Sequence, residues 1–190
     1  MRKPQEKSNH AEQNAQGWAE SIAEMVAALE CDYNRLEELR DERASLVQDN
    51  ESASGEGKEE EAKARSALDE WDEENGDELR ELTEAATLEG DLQENAENVR
   101  ERIQESPLSV QVRSGWYSPG EREQEPEEFE ILLETGGPAL RIRGELDEHA
   151  TPCRAWLEYQ DWGTGWTKYR GEGLEHSNLM TFCEQFYFGG

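Results

Sequence analysis

LSVQV at residues 108–112, FEILL at 129–133, ALRIRGEL at 139–146 and RAWLEYQDW at 154–162 decide how this chain folds. Each is short, rich in β-branched, leucine or aromatic residues, and bounded by glycine and proline, which is how strands are written. Leu108, Val110 and Val112 alternate with Ser109, Gln111 and Arg113, the pattern of a half-buried strand. Leu140, Ile142 and Leu146 would face inward while Arg141 and Arg143 face outward. Ala155, Leu157 and Tyr159 share one face of the last segment, with Trp156 and Glu158 on the other. The connections are too short for crossover helices, so the pattern predicts an antiparallel meander of about four strands. The 115–128 and 161–173 stretches read as loops.

Beyond this sheet, Leu179, Phe182, Cys183, Phe186 and Tyr187 fall at i, i+3, i+4, i+7 and i+8. That spacing predicts a C-terminal amphipathic helix covering one sheet face, and completes a small α+β domain over 107–190.

Upstream the period changes. Residues 1–14 are polar and read as a flexible tail. From Ala15 a helix is expected, with Trp18, Ile22, Met25, Leu29, Leu36, Leu39 and Leu46 as its apolar stripe and Asp32 as a polar interruption. About 45 Å of helix from Trp18 to Val47 exceeds what a small sheet needs, so it should pair with another helix. The 48–58 segment reads as the turn of a helical hairpin. The returning arm carries Leu68, Trp71, Leu79, Leu82, Leu92, Val99 and Ile103, with a break expected at Asn75 and Gly76 and a weaker one at Gly90. Pro107 stops the helical region. The fold class expected is therefore α+β: an acidic antiparallel hairpin or short coiled coil of two to four helices over 15–106, then the sheet domain. A homodimer would form through the helical region.

Charge is the strongest functional signal. The 190 residues include 46 acidic and 19 basic side chains, a formal charge of −27. Between Glu51 and Val99 there are 18 acidic and 4 basic side chains, so half the charge sits in a quarter of the chain. Such a surface repels nucleic-acid phosphates and anionic membranes and attracts basic protein surfaces over about 8 Å at physiological salt. The expected partner is a basic, nucleic-acid-binding protein, with no direct nucleic-acid or membrane contact. The residues expected to meet it are Glu59, Glu60, Glu61, Asp69, Glu70, Asp72, Glu73, Glu74, Asp77, Glu78, Glu81 and Glu84. Trp162 and Trp166, from an aromatic cluster with Trp156, Tyr159 and Tyr169, would add specific contacts, since Trp and Tyr are over-represented among binding anchors. The plain alternatives are core packing for the rings and solubility or salt adaptation for the acids.

Chemistry is hardly written. His10, His149 and His176 are scattered, and Cys31, Cys153 and Cys183 have no close spacing, so neither a metal site, a cofactor nor a disulfide framework is expected. Phosphate-loop and nucleophile-elbow motifs are missing from the sequence. Glu158 and Asp161 near Arg154 and Lys168 offer a distant hydrolase reading. Arg113, Arg141 and Arg143 are expected to pair with the acidic helices. No apolar run reaches the length of a membrane span, which leads to the expectation of a cytoplasmic protein.

In surface charge alone, the chain resembles the acidic DNA-mimic proteins that mobile elements use against restriction or CRISPR systems. That resemblance implies a non-enzymatic inhibitor or decoy, with a coiled-coil scaffold as the alternative.

Overall fold

A computed structural model of the chain describes residues 10–55, 57–116, 118 and 125–189. The elements are α1 (His10–Leu29), α2 (Tyr33–Ala53), α3 (Lys58–Ala85), β1 (Thr87–Leu88), β2 (Asp91–Leu92), α4 (Ala96–Glu105), β3 (Ser109–Ser114), β4 (Pro126–Glu134), β5 (Ala139–Leu146), β6 (Pro152–Gln160), β7 (Thr167–Lys168) and α5 (His176–Cys183). The fold is α+β, with helices preceding an antiparallel sheet. Two compact units divide it: the chain up to Val26 together with Val99–Gly190, and Ala27–Asn98. The boundary expected at Pro107 falls inside the first unit.

In that unit, β3-β4-β5-β6-β7 form one antiparallel meander. It has five strands rather than about four, because Thr167 and Lys168, expected in a loop, pair with Tyr159 and Glu158. Phe129, Ile131, Leu133, Leu140, Ile142, Ala155 and Leu157 line the buried face, and α5 packs against β6 through Leu179, Phe182 and Cys183. The helix is shorter than its apolar spacing suggested. It ends at Cys183, Tyr187 is exposed, and Phe188 turns inward to stack against Phe129 with ring centroids 4.5 Å apart. Gly144 is obligatory in this core, since a Cβ there would lie 2.3 Å from the Phe129 ring and 2.3 Å from the Arg154 carbonyl oxygen.

The first helix departs most from expectation. It begins at His10, so residues 10–14 are helical; residues 1–9 of the expected tail lie outside the described residues. Its buried face is Ala11, Ala15, Ala19, Ile22, Met25, Val26 and Ala28, so three alanines continue the face N-terminal to the larger side chains. Asn14 and Trp18 both donate to the Glu134 carboxylate of β4, at 3.0 and 2.8 Å. The N-terminal helix therefore belongs to the sheet and not to a hairpin with the acidic region. Asp32 explains the separation: its carboxylate accepts the Arg35 N–H at 3.0 Å and caps a new helix, α2, where a continuous rod was expected.

The second unit is a helical hairpin. α2 and α3 run antiparallel, joined by only 54–57, because α2 continues to Ala53 through most of the expected turn. α3 passes unbroken through Asn75 and Gly76. A glycine costs about 1 kcal/mol in a helix interior, and the contacts with α2 on both sides of it outweigh that cost. Gly90 lies in a two-residue hairpin between β1 and β2, with Glu89 and Gly90 at φ 50° and 87°; positive φ at both central positions is the requirement of the tight turn that matches strand twist.

Candidate functional site

All twelve acidic residues expected at the interface stand on α3, a single helix of 28 residues, about 42 Å long. Its inner side is a thin seam of half-buried Ala64, Leu68, Trp71, Leu79 and Leu82, and none of its residues is fully buried. Three acids are committed to ion pairs. Arg43 of α2 grips Asp72 through Nε at 2.7 Å and Nη2 at 3.2 Å, and Arg35 grips Glu78 at 3.0 and 2.9 Å. Asp77 pairs with Arg80 at 3.0 Å along the helix. Glu42 of α2 accepts the Trp71 indole N–H at 3.1 Å, fixing the same register.

Glu59, Glu60, Glu61, Asp69, Glu70, Glu73, Glu74, Glu81 and Glu84 are exposed, and among the described residues none of them forms an ion pair. Glu59, Glu60 and Glu61 fill the first turn, where the helix dipole favours acids, so local stability accounts for them. The others follow a different logic. Asp69, Glu73, Asp77 and Glu81 form one i, i+4 row, and Glu70, Glu74 and Glu78 form a second beside it. Like charges at that spacing destabilise a helix by about 0.2–0.5 kcal/mol per pair. Glu81 and Glu84 also sit at the C-terminal end, against the dipole, and no basic residue occupies the last turn.

The Arg35 and Arg43 guanidiniums, chiefly through their hydrogen bonds, hold the Glu78 and Asp72 carboxyls below their ordinary values of 4.5 and 3.8. A depressed folded-state pKa contributes stability above the ordinary value that disappears as pH falls through the lower one. Thermal melts of the chain and of D72N/E78Q should therefore differ by a constant amount from pH 7 to about 5 and converge in more acidic solution. A difference that instead vanishes between pH 7 and 5 would contradict this assignment. The difference is small, because both pairs are substantially solvated.

Trp162 and Trp166 lie in the sheet unit. Trp162 is 77% exposed, yet its indole lies against Gly137 and donates to the Gly137 carbonyl at 3.2 Å, so the ring is held on the turn between β4 and β5. Trp166 is half-buried beneath Arg141, whose guanidinium carbon stands 4.0 Å from the ring centroid. Trp156 is flanked by Arg154 and Lys168 at 5.7 and 3.7 Å. Tyr159 and Tyr169 are half-buried, their hydroxyl pKa values raised by burial and then by Glu12 and Glu20 of α1 respectively. Of the five rings, Trp162 alone is exposed over most of its surface.

The outward face of the sheet is an Arg–Glu lattice. Arg141 donates to Glu158 at 2.9 Å and to Glu130 at 2.7 Å, Arg113 and Arg143 converge on Glu128, and Arg154 reaches Glu145 at 3.3 Å. These partners are strand glutamates across the register, not the acidic helices as the sequence suggested. Glu158, expected as a catalytic carboxylate, is 9% exposed, with its second oxygen bound to the Trp156 N–H at 2.8 Å. Asp161 accepts the Trp162 backbone N–H. Both therefore have structural partners. Replacing Arg141 by alanine leaves two carboxylates without their cation and Trp166 uncovered; a stability loss of about 2 kcal/mol is expected in denaturant titration, whereas Arg154→Ala, at a solvated pair, should cost under about 1 kcal/mol.

Among the described residues no group of His, Cys, Asp and Glu is arranged to hold a metal ion. The three cysteines are free thiols, with Cys153 exposed and Cys183 buried. Among the described residues no helix is long and apolar enough to cross a membrane. No family model, curated protein or solved structure matches the chain.

Proposed function

We propose that this chain is a non-enzymatic acidic decoy that occupies the nucleic-acid channel of a basic protein, in the manner of antirestriction or anti-CRISPR inhibitors. The observation that carries this reading is the pair of acidic rows on α3, whose spacing costs the helix stability and so calls for a reason outside the fold. Nine acids lie between Asp69 and Glu84 over about 22 Å of axis, and the six outside ion pairs give roughly one uncompensated charge per 3.7 Å, against about one per 1.7 Å in B-DNA. The bidentate pairs from Arg35 and Arg43 hold α3 straight against α2, so the rows are presented on an ordered helix instead of a collapsing tail. Trp162 would supply an uncharged contact. The working compartment of this proposed decoy is the cytoplasm.

The test is capture on the immobilised full chain from extracts of the encoding organism, with salt-graded elution and competition by duplex and single-stranded oligonucleotides. A specific target should leave between low and high salt and be displaced by nucleic acid. Retention indifferent to both would remove the physical basis of the proposal.

The half-buried seam of α3 favours a second reading, a scaffold that completes its coiled coil with another helix. It requires Leu68 and Leu79 to control an oligomeric mass, with no competition from nucleic acid.

A further inference from the structure

We propose that Asn75 is a modification site, converted to aspartate or isoaspartate when α3 opens locally, and that the conversion turns a passing opening into a permanent break in the hairpin. The chain holds eight asparagines, and Asn75 alone is followed by glycine. Glycine has no Cβ, so its backbone nitrogen can reach the preceding side-chain carbonyl carbon, which any larger residue would shield. The other seven are followed by histidine, alanine, arginine, glutamate, valine or leucine. The helix withholds this chemistry in two ways. Within α3 the Gly76 N–H is committed to the carbonyl four residues back, and helical backbone angles keep its nitrogen turned from the Asn75 side chain. The Asn75 amide is itself drawn back a turn, its Nδ2 donating to the Trp71 carbonyl at 3.2 Å. Both restraints lapse together when the middle of α3 unwinds, and the sequence favours unwinding there. No α3 residue is fully buried, a glycine stands near the helix centre, and the acidic rows repel along the axis. The Arg43–Asp72 and Arg35–Glu78 pairs lie on either side of Asn75 and hold the segment closed.

Once α3 opens, the Gly76 nitrogen gives its proton to solvent and bonds to the Asn75 Cγ, the Cγ–Nδ2 bond breaks, and ammonia leaves with a proton from solvent. Water then adds to either carbonyl of the ring so formed. Opening at one carbonyl yields aspartate with the backbone intact. Opening at the other yields isoaspartate, in which the former side-chain carbons carry the backbone and lengthen it by one atom. An extra backbone atom between the two clamps breaks the helix period, so Asp72 and Glu78 no longer meet Arg43 and Arg35 in one register. The reaction belongs to the hairpin alone and is the same whether or not α3 meets a basic target.

The full chain, incubated in mildly alkaline native buffer and in concentrated urea, is mapped by mass spectrometry for amide-to-acid conversion at each asparagine. In urea, Asn75 should convert faster than any other asparagine. In native buffer its rate should fall by about tenfold or more, because only the opened fraction reacts. Gly76→Ala should lower the urea rate by about tenfold or more, with no helix present to account for the change. D72N/E78Q should raise the native rate about threefold and leave the urea rate unchanged. Chains carrying isoaspartate, returned from urea to buffer, should show less helical circular dichroism than Asn75→Asp made directly, which carries the charge without the extra backbone atom. Equal rates in urea and buffer, another asparagine leading in urea, indifference to Gly76→Ala, a native rate unmoved by D72N/E78Q, or isoaspartate chains as helical as Asn75→Asp overturns the proposal. Failure of target capture leaves these rates untouched, and the absence of conversion leaves the decoy function of α3 untouched.

Discussion

Neutralising the first acidic row of α3 with D69N/E73Q/D77N/E81Q is expected to weaken binding to the captured basic target by about a hundredfold at 0.1 M salt, and much less at 1 M. Each lost carboxylate removes a modest, screened attraction, and four together multiply to roughly that factor. The same variant should melt at a slightly higher temperature than the parent, because relief of the like-charge i, i+4 contacts at 69–73, 73–77 and 77–81 outweighs the one solvated Asp77–Arg80 pair that is lost. These opposite signs separate function from folding: a purely structural acidic row would show the stability change and leave binding alone. Asp72 and Glu78 are deliberately kept, since their loss would loosen α3 from Arg43 and Arg35. Isothermal titration against the target, paired with thermal melts, reads both effects. Equal affinity of parent and variant would end the decoy proposal.

Gly144→Ala should be the most damaging single-methyl change in the sheet, with a loss of about 3 kcal/mol in urea titration. The added Cβ would meet the Phe129 ring and the Arg154 carbonyl oxygen at 2.3 Å each, and overpacking of a tight core costs about 1–3 kcal/mol or more. The backbone carbonyl belongs to β6 and cannot rotate away. Phe129→Leu in the same chain should recover part of the loss by vacating the ring position, though it removes the Phe188 stack. For a unit of this size such a loss is a large share of a total stability of about 5–15 kcal/mol. Gly76→Ala, in the middle of α3 with nothing near its Cβ position, should instead raise helix stability by a few tenths to about 1 kcal/mol. Near-neutral behaviour of Gly144→Ala would mean that the strands separate more easily than the packing indicates.

Particular residues explain which expectations carried through. The alternation in ALRIRGEL and RAWLEYQDW is a period-two signal with one buried face, and β5 and β6 realise it with Leu140, Ile142, Ala155 and Leu157 inward. Leu108, Val110 and Val112 carry the same local signal, but β3 has a neighbour on one side only, so alternation gave their shared face correctly and their burial wrongly. Thr167 and Lys168 have no strand pattern at all; they pair because the turn after β6 returns them to its edge. The alanine row Ala11, Ala15 and Ala19 gives little apolar signal beside the larger Trp18, because burial of a methyl side chain is set by what packs over it and not by its own hydrophobicity. Asp32 was visible as an interruption, and its effect as a cap depended on whether the chain resumed its old axis.

The acidic half tells a similar story. The charge, its concentration on one helical stretch and the i, i+4 rows follow from the order of residues alone, because a helix has a fixed period and carboxylates are ionised wherever water reaches them. Which acids are free and which are held by Arg35 and Arg43 was decided by the antiparallel register of α2 and α3. The assignment of the first helix to the sheet, the Arg–Glu lattice across the strands and the exposure of Val110 and Val112 on β3 also required the assembled fold. Each depends on residues far apart in the chain being brought within a few ångströms, and no local period encodes that distance.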